Sequence, residues 1–176
     1  MGGKMKKKKM VSLIGMVLLF CMGGLAQEGY IHVSPAGWDV WDGSAGFEFF
    51  GGEVGSTAYM TKTTSPDHLM RPLEFPPEAD GLLVRQITIS YYDAESTHNL
   101  RFYLRKVDLY DQSATTVAGI SSSGSSTSWR RMYINRWDMI ARRINNQRYA
   151  WYLIVFFEDS DTNLSLGNVK IKYAAD

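Results

Sequence analysis

A single cysteine in 176 residues excludes a disulfide framework and any cysteine-based zinc site. Histidine is nearly as scarce: His32, His68 and His98 stand far apart, without the paired spacing of metal ligands. Charge of one sign is missing too, since 19 Lys and Arg face 18 Asp and Glu, a formal balance of +1. That balance gives no strong attraction to nucleic acid. No G-x-S-x-G elbow occurs, so no serine is marked as a nucleophile. Nor is there a long apolar run. The longest, Met10 to Met22, has 13 residues against the ~20 needed to cross ~30 Å of hydrocarbon. With 45% hydrophobic residues the chain is neither disordered nor a coiled coil. Its length suits one domain.

What is present begins with an address. Lys4, Lys6, Lys7, Lys8 and Lys9 precede the apolar run, and Gly23, Gly24, Leu25 and Ala26 follow it. This is the layout of a cleavable secretory signal peptide over residues 1–26, so no transmembrane anchor is expected after cleavage. Cys21 lies in the run, but Phe20 before it does not fit a lipid-attachment motif. Without residues 1–26, 14 basic groups remain against 18 acidic ones, so residues 27–176 carry −4 and no cysteine. The expected location is secreted, periplasmic or extracellular.

Residues 27–176 read as one all-β domain. Val169, Ile171 and Tyr173 alternate with Lys170 and Lys172, and Ile87, Ile89 and Tyr91 alternate with Thr88 and Ser90. This period of two marks half-buried strands. Leu100, Phe102 and Leu104 share one parity but Val107 and Leu109 take the other, which predicts a β-bulge or bend near Arg105 and Lys106. Tyr149 to Phe157 is apolar on both parities, as expected of a central strand that is covered or faces a partner subunit. Weaker strands are expected at 30–33, 47–50, 58–61, 69–75, 115–121 and 129–134, and at most a short helical turn within 136–144. About nine short strands with Gly, Pro, Ser, Asp and Asn between them predict a two-sheet antiparallel β-sandwich, jelly-roll or Greek-key-like.

The succession VSPAG (33–37), RPLEFPPEADG (71–81), ITISYYDAE (87–95), LRFYLRKV (100–107), VAGISSSGSS (117–126), INNQRYAWYL (144–153) and GNVKIKYA (167–174) resembles a family of secreted bacterial β-sandwich domains of uncharacterised role. The resemblance spans most of residues 30–174. The chain departs from the family pattern at Glu74 to Asp80, with one extra proline and no glycine before Ala79. It implies the fold and an extracellular place, and no catalytic residue.

Three constellations are candidates for chemistry. In Gly37-Trp38-Asp39-Val40-Trp41-Asp42-Gly43, Trp38 and Trp41 could stack on sugar faces while Asp39 and Asp42 accept hydroxyl hydrogen bonds; the alternative is that the tryptophans cap an open end of the core. Arg130, Arg131, Arg136, Arg142, Arg143 and Arg148 face only Asp138 within residues 129–148, so that segment is +5 and the rest of residues 27–176 is −9. Such a segment suits an anionic polysaccharide, surface lipid head groups or the acidic face of a neighbouring copy, or it is a solvated strand face with arginine stems over Trp129, Tyr133 and Trp137. Asp159, Asp161 and Asn163 alternate like the start of a calcium loop, but Leu164 and Lys170 stand where an EF-hand has glycine and glutamate; a polar hairpin tip is the plainer reading. Glu48, Glu53, Glu74, Asp93, Glu95 and Glu158 could supply a hydrolase pair only if two of them face one another. The resulting expectation is a non-catalytic structural or interaction module at the bacterial envelope, without cofactor. Its partner would be a second copy, another envelope protein or a polysaccharide. A carbohydrate-binding module is the alternative and a secreted hydrolase the remote one.

Overall fold

A computed structural model describes residues 27–40, 47–50, 59–62, 67–158 and 163–176. The expected signal peptide, and with it Trp41, Asp42, Asp159 and Asp161 among the candidate residues, lies outside these.

Alternating apolar residues form eleven strands: β1 (Glu28–Val33), β2 (Asp39–Val40), β3 (Phe47–Phe50), β4 (Tyr59–Lys62), β5 (Asp67–Leu73), β6 (Leu83–Asp93), β7 (Leu100–Asp108), β8 (Ala114–Ser121), β9 (Ser126–Asn135), β10 (Tyr149–Phe157) and β11 (Leu164–Ala174). They make two antiparallel sheets. One runs β3-β4-β11-β6-β9, with β1 paired to the other half of the same edge of β11; the second runs β2-β5-β10-β7-β8. The architecture is the expected β-sandwich. The helical turn expected within 136–144 is the 3-10 turn Arg136–Asp138, started by Asn135, whose backbone N–H donates to the Asp138 carboxylate at 3.1 Å; further 3-10 turns stand at Pro35–Gly37 and Pro77–Ala79.

The core lies between the sheets. Leu100, Phe102 and Leu104 of β7 and Trp151, Leu153, Val155 and Phe157 of β10 meet Ile87, Ile89, Val169, Ile171, Met132 and Ile134 of the other sheet. Each such side chain contributes about 1.5–3 kcal/mol by leaving water, which lets a domain without disulfides stand. One buried polar link crosses between the layers. Ser122, beyond β8, donates its hydroxyl to the Asp93 carboxylate at the end of β6 and accepts the Leu100 N–H at 2.9 Å. The Glu95 N–H donates to the other Asp93 oxygen at 3.1 Å.

The expected switch of parity within residues 100–109 does not occur. β7 pairs with β10 without a break from Leu100↔Phe157 to Asp108↔Tyr149, so Lys106 and Asp108 point inward and Leu109 is exposed. The irregularity near Arg105 is real but belongs to β8. Leu104 faces Ala118 and Arg105 faces Thr116, leaving Val117 as the extra residue. Hydrophobicity alone misassigned these positions because the strand buries polar groups at its end.

Candidate functional site

Strand β10 is central in its sheet, between β5 and β7. Because successive side chains alternate faces, its second apolar set, Tyr152, Ile154 and Phe156, points away from the core. Register then dictates what stands beside each. Across the outer face, Pro72, Tyr152, Arg105 and Thr116 form one row, and Asp39, Met70, Ile154, Tyr103 and Gly119 the next. His68, Phe156, Arg101 and Ser121 form the third. Tyr152, Phe156, Tyr103 and Arg105 are each half-buried, whereas Ile154 between them is only 6% exposed. The face is therefore an aromatic surface with an aliphatic floor. Tyr152 and Phe156 are four residues apart on one strand, ~13 Å, enough for a short chain of rings to lie along them.

Several contacts fix this surface. The Phe156 and His68 rings lie 4.6 Å apart at 31°. Arg105 holds its guanidinium 5.9 Å from the Tyr152 ring centre. Tyr103 lies over Gly119, where a Cβ would come within 2.9 Å of the ring; a side chain at that position would lift the tyrosine off the strand. Arg101 pairs with Glu158, whose second oxygen accepts the Asn99 N–H at 2.9 Å. The Glu158 charge, followed by a hydrogen bond with Tyr103, holds Arg101 more firmly protonated than usual. Glu95 accepts from Asn163 at 3.3 Å and from Thr97 at 3.4 Å. With Asp93 bound to Ser122, Asp93, Glu95 and Glu158 are each engaged.

The candidate residues distribute unevenly over the molecule. Trp38 belongs to the core, 7% exposed, so its ring offers no face to a sugar; this is the capping alternative, reached because Trp38 follows the tight turn Pro35–Gly37. Asp39 is exposed and ends the middle row of the outer face. The six arginines do not form one patch. Arg130 and Arg131 lie on β9 at the edge of the six-stranded sheet, Arg130 donating to the Ser123 carbonyl at 3.1 Å. Arg136 rests on the Trp137 ring at 3.9 Å. Arg142, Arg143 and Arg148 gather at one end of the sandwich, around a cavity described below. Asn163 is bound to Glu95, and among the described residues no group of three or more His, Cys, Asp or Glu could hold a metal ion. No helix among the described residues is long and apolar enough to cross a membrane.

No protein-family model matches the chain, and no curated protein does. Solved structures do. The chain is similar to the C-terminal family 6 carbohydrate-binding module of a marine laminarinase from Zobellia galactanivorans, with TM-score 0.52 and 9% identity over 81% of this chain and 98% of that one. It is similar to the C-terminal family 22 carbohydrate-binding module of a Clostridium thermocellum xylanase, with TM-score 0.51 and 17% identity over 82% and 92%. The N-terminal family 22 module of the same xylanase, solved with its catalytic module and xylohexaose, gives TM-score 0.53 and 9% identity over 83% of this chain and 28% of that one. The fold is the one these modules share. At such identity the likeness is one of backbone, and the site must be argued from this chain's own residues.

Sequence reasoning did not single out the outer face of the five-stranded sheet, although it marked Tyr149 to Phe157 as apolar on both parities. A strand apolar on both parities is expected to be covered or to face a partner subunit, and since both of its sets mix aromatic and aliphatic residues, composition does not tell which face is open. Of the outer set, Tyr152 and Phe156 are left half-exposed.

Proposed function

We propose that this protein is a non-catalytic carbohydrate-binding module whose polysaccharide surface is the outer face of the five-stranded sheet. The observation that carries the reading is the set Tyr152, Tyr103 and Phe156 on adjacent strands of that face, half-exposed over an apolar floor. Aromatic rings present the apolar faces on which sugar rings stack, and Arg105, Arg101, Asp39, Thr116 and Ser121 at their flanks supply donors and acceptors for hydroxyls. Because these groups stand on strands rather than on loops, the surface is preformed and little ordering is needed on binding. The carbohydrate-binding modules with the same fold favour this reading over a purely structural module, and the xylohexaose complex among them suggests a neutral β-1,4-linked glycan as the first probe. Engagement of Glu158, Asp93 and Glu95 with other groups fits binding without catalysis. Recognition of a polysaccharide also agrees with export by residues 1–26, and the module would act in the periplasm or outside the cell.

The test is affinity electrophoresis of the purified protein through gels containing xylan, mixed-linkage β-glucan, laminarin or mannan. At least one should retard it, and Tyr152→Ala with Phe156→Ala should weaken binding about tenfold or more, since each stacked ring is worth ~0.5–1.5 kcal/mol. Unchanged mobility over the whole panel would count against the reading. So would retardation that the double variant leaves intact. Light scattering distinguishes the remaining possibility, that the face is covered by a second copy.

A further inference from the structure

At one end of the sandwich a cavity of about 470 Å³ is lined by Lys106, Arg142, Arg143, Arg148, Tyr149 and Asp176, among others. That volume lies within the range of small-ligand pockets. Lys106 stands at an inward-facing position where the strand pattern calls for an apolar residue, and it is only 6% exposed. Its ammonium lies 3.8 Å from the Tyr149 ring centre and donates to the Ala141 carbonyl at 2.8 Å. Among the described residues no carboxylate makes an ion pair with it. Burying an ammonium this way is costly. Its pKa is accordingly lowered, by burial first and by Arg148 second, with Asp108 pulling the other way. Ala141, in the cavity wall, holds a φ of +47°, a conformation that costs a non-glycine residue about 1–3 kcal/mol.

The three arginines are fixed from behind. Arg143 donates to the Gly81 carbonyl at 3.0 Å, Arg142 to the Val84 carbonyl at 3.4 Å, and Arg148 through Nε to Asp108 at 2.7 Å. A guanidinium has five N–H donors, so each retains donors for a ligand while its orientation is already set. Four cations stand against two carboxylates, Asp108 on Arg148 and Asp176 at the rim, 3.9 Å from Arg142. The place therefore carries a surplus of two positive charges, in a chain whose residues 27–176 are −4 overall. Asp176 pairs more closely with Arg85, at 3.1 Å, than with Arg142, so the pocket arginines are not satisfied by it.

We propose that this pocket is a second glycan site, which takes the carboxylate of a uronic acid unit on the guanidiniums of Arg142, Arg143 and Arg148 above the Lys106 ammonium. The paired N–H groups of a guanidinium match a carboxylate's two oxygens. An anion arriving there offsets the repulsion among the four cations. The site is separate from the aromatic face of the sheet, and its assignment to the carboxylate of a sugar rests on the carbohydrate-binding reading proposed above.

The experiment is calorimetric titration of the purified protein with three oligosaccharides: oligogalacturonate, a neutral galacto-oligosaccharide and a sulfated galacto-oligosaccharide of equal charge. Oligogalacturonate should bind at least tenfold tighter than the other two, and its affinity should fall as sodium chloride is raised. Lys106→Met should weaken that binding tenfold or more without lowering the melting temperature, because it removes a buried charge and keeps the volume. Arg142→Gln with Arg143→Gln should do the same to binding, whereas Tyr152→Ala with Phe156→Ala should leave it unchanged. Equal affinity for charged and neutral oligomers overturns the proposal. Preference for the sulfated oligomer, or uronate binding that survives both Lys106→Met and the arginine double variant, overturns it as well.

Discussion

Phe156 and Phe157 are neighbours in sequence, identical in chemistry and opposite in direction, so replacing each by alanine measures the two faces of β10 separately. Phe157 is fully buried in the core. Removing its ring forfeits transfer energy and leaves a cavity, together about 3–5 kcal/mol, a large part of the ~5–15 kcal/mol that holds a domain folded. Phe156 is half-buried, and its main ring contact is His68 at 4.6 Å. Its loss forfeits a stacking interaction of ~0.5–1.5 kcal/mol and part of the burial, so about 1–2 kcal/mol. In urea, with a slope of about 2 kcal/mol/M, Phe157→Ala should lower the midpoint by about 2 M and Phe156→Ala by less than about 1 M. Polysaccharide retention should show the reverse order. Phe156→Ala loses it, while Phe157→Ala keeps it at temperatures where the variant is folded. If Phe156→Ala costs as much stability as Phe157→Ala, the outer face is packed against protein and the surface argued above does not exist. If it costs little and binding survives, the face is open and is not where sugar sits.

Two further outcomes follow from single contacts. Gly119→Ala adds a methyl within 2.9 Å of the Tyr103 ring; it should reduce polysaccharide affinity about two- to tenfold by tilting the platform. Denaturation should detect a change below about 1 kcal/mol, because alanine's advantage of ~0.5–1 kcal/mol over glycine in a strand offsets the displacement. Asp108 has its pKa lowered, first by the Tyr110 backbone N–H and then by Arg148. A depressed carboxylate stabilises the fold above its ordinary pKa of ~3.9 and loses that contribution as pH falls through the lower folded value. Melting temperatures of wild type and Asp108→Asn should therefore differ by a constant amount from neutral pH to about pH 5 and converge in stronger acid. A gap that persists in strong acid would contradict the assignment.

Most of the fold was legible because alternation is a local property. Ile87-Thr88-Ile89 and Val169-Lys170-Ile171-Lys172-Tyr173 declare their inner faces without reference to the rest of the chain, and both point as read. Pairing is not local. That β11 also takes β4 at Ser165–Leu166 has no signature in its own residues, whereas its shift of register against β6 between Leu166 and Val169 falls at Gly167. The same limit governs the sites. The arginines were visible as a count between residues 129 and 148, but only folding parts Arg130 and Arg131 from Arg142, Arg143 and Arg148. Lys106 and Asp108 were misplaced because hydrophobic pattern assigns charged residues outward. Local rules fail preferentially where a protein places unusual groups, and this failure falls on the floor of the cationic cavity. Trp38 was ambiguous for a physical reason, since an indole suits a core and a sugar equally well.

The position of β11 has a kinetic consequence. Strand β11 is hydrogen-bonded to β1, β4 and β6, so until residues 164–176 have been synthesised β1 has no partner, while β4 has only β3 and β6 only β9. The six-stranded sheet closes by a contact between the two ends of residues 27–176, with Glu28 opposite Ala174. Long loops must close before such pairings repay their entropy, and domains dominated by them fold in milliseconds to seconds rather than microseconds. A nascent chain emerging vectorially thus has the rest of this sheet without its central strand until residues 164–176 follow.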